Sequence, residues 1–177
     1  MPRIHPIRLL LFALVSSVTL LGGCANWYFG SHAIFPPAYK TVHVKMFVPP
    51  DQSRFGEAQM LTEAIQKRIE QVTPYKLVGS PMQADLIIEG RIASASKRTT
   101  QNHPSGYALQ TSENMVVQAK LVINRQRLRP NQGEAIDLAA SGNGKYYPLA
   151  GQSYASANQK TVEEAARRLV AQLEVLW

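Results

Sequence analysis

Four stretches of the chain alternate apolar and polar residues, which is the period of a β-strand with one buried face. The stretch 41–48 predicts the first strand, with His43, Lys45 and Phe47 on the exposed side. Three further predicted strands span about 85–95, 114–124 and 134–142. The positions predicted to face a common core include Val42, Val44, Met46, Val48, Leu86, Ile88, Ile92, Met115, Val117, Leu121, Ile136, Leu138 and Ala140.

Two other segments carry apolar residues three or four positions apart, the period of an α-helix with one buried side. The first is predicted to span 55–72 and to end before Pro74, because a proline disfavours helical conformation in the residue that precedes it. The second is predicted over about 155–176. Its apolar side contains Ala165 and Ala166, whose small side chains would let the helix approach a sheet closely.

The order of these elements predicts an α+β fold, a two-layer sandwich with two helices on one face of a mixed four-stranded sheet. The initial strand–helix–strand unit favours a right-handed crossover between parallel strands. Residues 75–79 form a short strand or a strand-like return, and Gly90 indicates a bulge or a close backbone approach. Residues 97–113 are polar and longer than a usual connection, so they are predicted to form a loop.

The first 23 residues have the pattern of a secretory signal peptide, in which Arg3 and Arg8 precede an apolar run at 9–21. That run is shorter than the roughly 20 residues that cross a bilayer. The sequence Leu-Gly-Gly-Cys at 21–24 then resembles the lipobox of bacterial lipoproteins. The resemblance implies cleavage before Cys24, a diacylglycerol on its sulfur and an acylated amino group. An ordinary unpaired thiol is the alternative, since the chain has one cysteine.

These features divide the chain into a signal peptide (1–23), a lipidated tether (24–40) and one domain (41–177). Several acyl chains on one residue make a lasting membrane anchor, where a single chain would be marginal. Ala25, rather than an aspartate, follows the lipidated cysteine. By resemblance to the lipoprotein sorting rule, this predicts the outer membrane, with the domain on its periplasmic side.

Composition excludes several classes of function. The net charge is +7 for the whole chain and +5 without the two arginines of the signal peptide. This mild excess has no run of five like charges, so no nucleic-acid partner is expected. No zinc-protease, nucleophile-elbow, Cys-x-x-Cys or phosphate-loop motif occurs. We therefore expect a protein that is not an enzyme, with no metal and no cofactor besides the lipid on Cys24; a small lipid-anchored hydrolase is the alternative.

Basic residues cluster at two places, and each cluster has two interpretations. Lys97 and Arg98 are adjacent in the polar stretch, while Arg125, Arg127 and Arg129 alternate into a tight turn. Lys145, near the end of the fourth long strand, could join either surface. All are either ordinary solvated charges or contacts to phosphate groups, which arginine binds in bidentate fashion and lysine as a point charge.

Several stretches of the mature chain are informative as an ordered set. They are Cys24 with the aromatic residues after it, the strand 41–48, the helical segment 61–65, the stretches 73–78 and 84–92, the strand 114–124, and the last helix with Ala165, Ala166 and Leu169. The stretch 84–92, Ala-Asp-Leu-Ile-Ile-Glu-Gly-Arg-Ile, is similar to the family pattern ADxxLxGxI. Together these stretches resemble the LptE (RlpB) family of lipopolysaccharide-assembly lipoproteins.

The resemblance implies a protein that sits as a plug inside the outer-membrane β-barrel LptD and assists insertion of lipopolysaccharide, without catalysis. On charge alone, the candidate contacts to lipopolysaccharide phosphates are Lys97, Arg98 and Lys145. The candidate partner contacts are the aromatic residues Tyr107, Tyr146 and Tyr147. An accessory periplasm-facing lipoprotein of another lipid-transport or secretion complex is the alternative.

Overall fold

The computed structural model describes residues 38–124 and 135–175. Within this part of the chain there are five strands and two long helices in the order β-α-β-β-β-β-α. The strands are β1 (Thr41–Val44), β2 (Lys76–Leu77), β3 (Leu86–Asn102), β4 (Ala108–Ile123) and β5 (Ala135–Tyr146), and the helices are α1 (Phe55–Val72) and α2 (Tyr154–Val175). The predicted signal peptide, the lipidation at Cys24, most of the tether and the turn with three arginines lie outside the described residues.

The strands form one mixed sheet in the order β2-β1-β3-β4-β5. β1 is parallel to both β2 and β3, and β3, β4 and β5 form an antiparallel meander. The predicted α+β class and the parallel pairing across α1 are confirmed. The sheet has five strands and not the predicted four, because the short strand expected within 75–79 forms as β2 and joins the sheet at its edge. A strand of two residues is too short to show alternation, so its hydrogen bonds to the neighbouring segment identify it. The Lys76 amide donates to the Lys40 carbonyl at 2.9 Å.

Both helices turn their apolar sides to the same face of the sheet, which confirms the two predicted helical stripes. α1 ends at Thr73, which is extended (ψ 156°) and whose hydroxyl donates to the Ile69 carbonyl at 2.7 Å. α2 begins after Ser153, whose hydroxyl oxygen accepts the Ser156 amide at 3.2 Å. No helix in the described ranges is long and apolar enough to cross a membrane. The helical part of the core consists of Ala58, Leu61, Ile65, Ile69, Val162, Ala165, Ala166, Leu169, Val170 and Leu173.

α2 lies unusually close to β5, because two glycines of β5 face it. A Cβ atom added at Gly142 would be 1.9 Å from the Thr161 carbonyl oxygen and 3.1 Å from the Ala165 Cβ. A Cβ atom at Gly144 would be 2.3 Å from the carbonyl oxygen of Ala157. The close approach predicted from Ala165 is therefore confirmed, and it also requires the absence of side chains on the strand.

The first strand changes face part-way along, which corrects the predicted orientation of three residues. Phe47 is 1% exposed, whereas Met46 and Val48 are 43% and 61% exposed. The chain advances by four residues from Val44 to Val48 while its partner β3 advances by three, from Ile88 to Arg91. This extra residue acts as a bulge and inverts the alternation that follows.

Phe47 fills a space that a glycine leaves open. A Cβ atom at Gly90 would be 2.6 Å from Phe47 Cε1 and 2.5 Å from the Gln118 carbonyl oxygen. The Phe47 amide donates to the Thr62 hydroxyl of α1 at 3.1 Å, which fixes the segment against the helix. The close approach predicted at Gly90 is confirmed, and its partner is the aromatic ring that the sequence pattern assigned to the other face.

The polar stretch 97–113 was predicted to form a loop, and that prediction was wrong. It forms most of a long β-hairpin. β3 and β4 remain paired out to Asn102 and Ala108, and residues 103–107 form the turn. β5 ends opposite Thr111, so the outermost part of the hairpin has two strands only. The hairpin projects from the end of the sheet opposite to the start of β1, since Val42 pairs with Leu86 at the other end. We call this end the hairpin end.

Candidate functional site

Arg98 and Lys145 lie on the outer face of the sheet, opposite the helices, and flank a single residue of β4. Ser112 pairs with Arg98 on one side and with Lys145 on the other. Neighbouring strands are about 4.8 Å apart, so the Cα atoms of Arg98 and Lys145 are about 10 Å apart. Both residues are exposed, and no acidic residue of the described ranges forms an ion pair with either. We call Arg98 and Lys145 the outer basic pair.

A bulge in β3 produces this arrangement. Ile92 pairs with Val117 and Ser94 pairs with Val116, so β3 advances by two residues while β4 advances by one. The extra residue moves the side chains that follow to the opposite face, up to the next irregularity between Thr99 and Gln101. Arg98 is thereby turned outward beside Lys145, and Lys97 is turned inward. Of the three predicted basic contacts, the structure brings two together and separates the third.

Most of the charges on the rest of the outer face form ion pairs. Lys45 Nζ lies 2.6 Å from Glu89 Oε2, and Lys120 Nζ lies 3.9 Å from Asp137 Oδ1. Arg91 donates to the Gln118 side-chain oxygen at 3.0 Å. These residues border an open depression of about 830 Å³ over the middle strands. Within the described ranges, the middle of the outer face thus keeps one positive charge without an acidic partner, that of Arg91, and the outer basic pair adds two more towards the hairpin end.

Lys97 packs on the helix side against two aromatic rings. Its Nζ atom is 5.6 Å from the Tyr146 ring centroid and 5.2 Å from the Tyr154 centroid, within the range of cation–π attraction. The two rings meet edge to face, with centroids 6.5 Å apart. Tyr146 is only 6% exposed. Its predicted role as a partner contact is therefore corrected, because it packs between α2 and the hairpin.

The other two tyrosines predicted as partner contacts are exposed at the hairpin end. Tyr107 closes the hairpin turn and is 65% exposed, and Tyr147 follows β5 and is 44% exposed. Two further exposed apolar residues lie at this end, Leu149 at 68% and Phe55 at 57%, and neither was predicted from the sequence. Neither residue belongs to a periodic apolar pattern, so only its position beside the base of the hairpin identifies it as a candidate contact. The hairpin-end surface consists of Phe55, Tyr107, Tyr147 and Leu149.

A buried acidic cluster, which was not predicted from the sequence either, lies under this surface. Glu113 is 1% exposed and faces the N-terminal ends of both helices. The Tyr154 hydroxyl lies 2.8 Å from Glu113 Oε1 and 3.1 Å from Glu57 Oε1. Burial raises the pKa of the Glu113 carboxyl above its usual range, and the charge of Glu57 adds to this, while the Tyr154 hydrogen bond, Arg54 and Lys97 lower it.

The histidines within the described residues have local partners. His43 Nδ1 lies 2.8 Å from the Val78 carbonyl oxygen, and His103 Nδ1 accepts the Ser105 amide at 3.2 Å within the hairpin turn. Among residues 38–124 and 135–175 there is no group of three or more histidine, cysteine, aspartate or glutamate side chains that could hold a metal ion. These histidines therefore act in local structure.

Most of the chain matches the model of a protein family. The model of the LptE lipopolysaccharide-assembly family matches residues 39–174, which includes the sheet, both helices and the hairpin. The chain belongs to the LptE family. This confirms the resemblance derived from the order of its stretches. The family serves assembly rather than catalysis.

Solved structures with this fold share little sequence with the chain. A hypothetical protein from Chlamydia trachomatis superposes with a TM-score of 0.51 at 13% identity, covering 77% of this chain and 96% of its own. Rare lipoprotein B from Shewanella oneidensis gives 0.47 at 13% identity, covering 77% and 96%. An uncharacterized lipoprotein B from Nitrosomonas europaea gives 0.46 at 16% identity, covering 83% and 90%. No curated protein sequence matches significantly. At such identities the likeness concerns the fold alone.

Proposed function

We propose that this LptE-family protein is an outer-membrane lipoprotein that partners and plugs an LptD-like β-barrel and assists lipopolysaccharide assembly there. The match over residues 39–174 carries the proposal, because it spans nearly the whole described domain. Two surface features agree with it. The outer basic pair suits anionic headgroups, and the hairpin-end surface offers aromatic and aliphatic side chains of the kind that anchor protein interfaces.

The partner is tested by affinity purification of the full lipidated protein through a tag at its C-terminus, from detergent-solubilised membranes. An LptD barrel among the bound proteins, absent from an untagged control, supports the proposal. Recovery of the components of a different lipid-transport or secretion complex, without LptD, would favour the accessory-lipoprotein alternative instead.

Cys24→Ser is expected to move the protein from the membrane fraction to the soluble fraction. A serine hydroxyl cannot form the thioether, and the acyl chains supply the anchor, at about 0.8 kcal/mol for each buried CH₂ group. The measurement is membrane fractionation followed by immunoblotting, with the unchanged protein as the control. Membrane association of the variant that withstands a high-salt wash would contradict a lipid anchor at this residue.

The outer basic pair is proposed to contact lipopolysaccharide phosphates. The double variant Arg98→Gln/Lys145→Gln should weaken binding to purified lipopolysaccharide by about 30-fold. Each basic residue near an anionic surface contributes about 1 kcal/mol, and 1.4 kcal/mol corresponds to a factor of ten. Microscale thermophoresis at fixed ionic strength measures the affinity.

Lys97→Gln is the matched control, since Lys97 is next to Arg98 in sequence but faces the helices. It removes the same charge from the opposite side of the hairpin. If the double variant binds lipopolysaccharide with unchanged affinity, or if Lys97→Gln lowers the affinity by as much, then Arg98 and Lys145 are ordinary solvated charges and not specific contacts.

A further inference from the structure

The base of the hairpin is joined to both helices through one hydroxyl group. Glu113 lies on β4, Glu57 lies in the first turn of α1, and Tyr154 is the first residue of α2. The Tyr154 oxygen lies 2.8 Å from a Glu113 oxygen and 3.1 Å from a Glu57 oxygen. Oxygen atoms at these distances have a hydrogen atom between them. A single O–H group can point along only one of these contacts with good alignment, so two well-formed hydrogen bonds here need two hydrogens.

A phenol supplies only one hydrogen, so one of the two carboxyl groups must supply the second. Glu57 forms an ion pair with Arg54, whose Nη1 donates to Glu57 Oε2 at 3.1 Å. Glu113 lies deeper, and its Oε2 atom is buried without a hydrogen-bond partner in the described structure. Burying an unpartnered oxygen of a charged carboxylate costs much more than burying that of a neutral carboxylic acid. The second hydrogen therefore belongs on Glu113.

The charged groups around Glu113 agree with this assignment. Glu57 faces the cluster from the first turn of α1, Arg54 from the turn just before it, and Asp51 lies beside Arg54; their formal charges sum to −1. Lys97 of β3 faces it across the paired strand, but its Nζ atom lies over the rings of Tyr146 and Tyr154. No cation of the described residues forms an ion pair with Glu113. Burial is thus the largest influence on its ionisation.

We propose that Glu113 carries a proton in the folded protein near neutral pH, and that this proton closes a hydrogen-bonded chain from Glu113 through Tyr154 and Glu57 to Arg54. The chain fastens the base of the hairpin to both helices. Loss of the proton leaves two carboxylates around one hydroxyl and loosens the base. The pH would therefore control how firmly the hairpin-end surface is held against the helices. The use of this change in regulation rests on the function proposed above.

The sign of the pH effect follows from linkage. An acid whose pKa is higher in the folded state than in the unfolded state stabilises the fold below its unfolded pKa, which is about 4.3 for glutamate. That stabilisation is lost as the pH rises through the folded pKa. The protein is therefore expected to lose thermal stability between pH 6 and pH 9 through Glu113, and a variant with a neutral side chain at this position should not.

The test uses the full mature lipidated chain in detergent micelles. Carboxyl ¹³C NMR should show the protonated form of Glu113 at pH 6, and the backbone amides of Lys97 and Thr111 should shift with the same midpoint. The melting temperature of the unchanged protein should fall between pH 6 and pH 9 by about 3 °C more than that of Glu113→Gln. Glu70→Gln, an exposed glutamate of α1, is the matched control and should behave as the unchanged protein.

Three outcomes would overturn the proposal. The Glu113 signal could lie at the carboxylate position at pH 6, or the chemical shifts of the hairpin amides could stay constant while Glu113 titrates. The third is an equal loss of stability in the unchanged protein and in Glu113→Gln. If Glu113→Gln does not fold, the NMR titration of the unchanged protein still decides the matter. None of these measurements involves the barrel or lipopolysaccharide. A failure to recover LptD would therefore leave the proton assignment intact, and the reverse also holds.

Discussion

Phe47→Ala is expected to lower the free energy of unfolding by about 4 kcal/mol, the cost typical of removing a fully buried phenylalanine ring. Phe47 is 1% exposed and its ring occupies the space above Gly90. Neighbours cannot close the resulting cavity easily, because Gly90 has no side chain and the Gln118 backbone is held in the sheet. Urea denaturation followed by circular dichroism measures the change.

Val48→Ala is the matched control for Phe47→Ala. The alternation along 41–48 assigns Val48 to the core and Phe47 to solvent, whereas the structure has Val48 61% exposed. Val48→Ala should therefore change the free energy of unfolding by no more than about 0.5 kcal/mol, as is usual for surface substitutions. A larger loss for Val48→Ala than for Phe47→Ala would contradict the bulge between Val44 and Val48.

Gly142→Ala is expected to destabilise the protein by about 3 kcal/mol, at the upper end of what overpacking usually costs. The added methyl group would lie 1.9 Å from the Thr161 carbonyl oxygen and 2.8 Å from the carbon of the same carbonyl. Both atoms belong to the backbone of α2, so the helix itself must move away from β5. The measurement is again the urea midpoint, with the slope compared to verify that unfolding remains cooperative.

Gly79→Ala provides the control for Gly142→Ala, since no heavy atom lies within 4 Å of an added Cβ there and its φ angle is not positive. It should be neutral or slightly stabilising, because alanine restricts the unfolded chain more than glycine does. Equal stability of Gly142→Ala and Gly79→Ala would mean that α2 does not approach β5 as closely as described.

The two faces of the hairpin carry basic residues in different surroundings. The outer face presents Arg98 and Lys145 without acidic partners, where anionic headgroups can reach them. The inner face holds Lys97 against Tyr146 and Tyr154, above the buried Glu113. Adjacent lysine and arginine residues thus have unlike roles, one structural and one suited to binding. A β-strand separates neighbours in this way because successive side chains point to opposite faces.

The sequence predicted the helices well and the candidate site only in part. α1 spans the predicted 55–72, and α2 starts one residue before the expected position. Arg98 and Lys145 were identified as candidate contacts by charge, and the structure then grouped them. Nothing in the sequence pointed to Glu113, because a glutamate in a polar stretch is indistinguishable from a solvated one until the helix ends that cover it are placed.

The sequence by itself determined the elements whose burial repeats with a regular period, including both helices and the inner faces of β4, β5 and the first half of β3. Such periodicity is local, since each segment must bury one side whatever it packs against. Only the tertiary structure decided which face each side chain takes after the bulges at 44–48 and 92–94. It also decided that residues 97–113 pair as a hairpin. A bulge is defined by the count of residues on a neighbouring strand, and that count is not present in either segment alone.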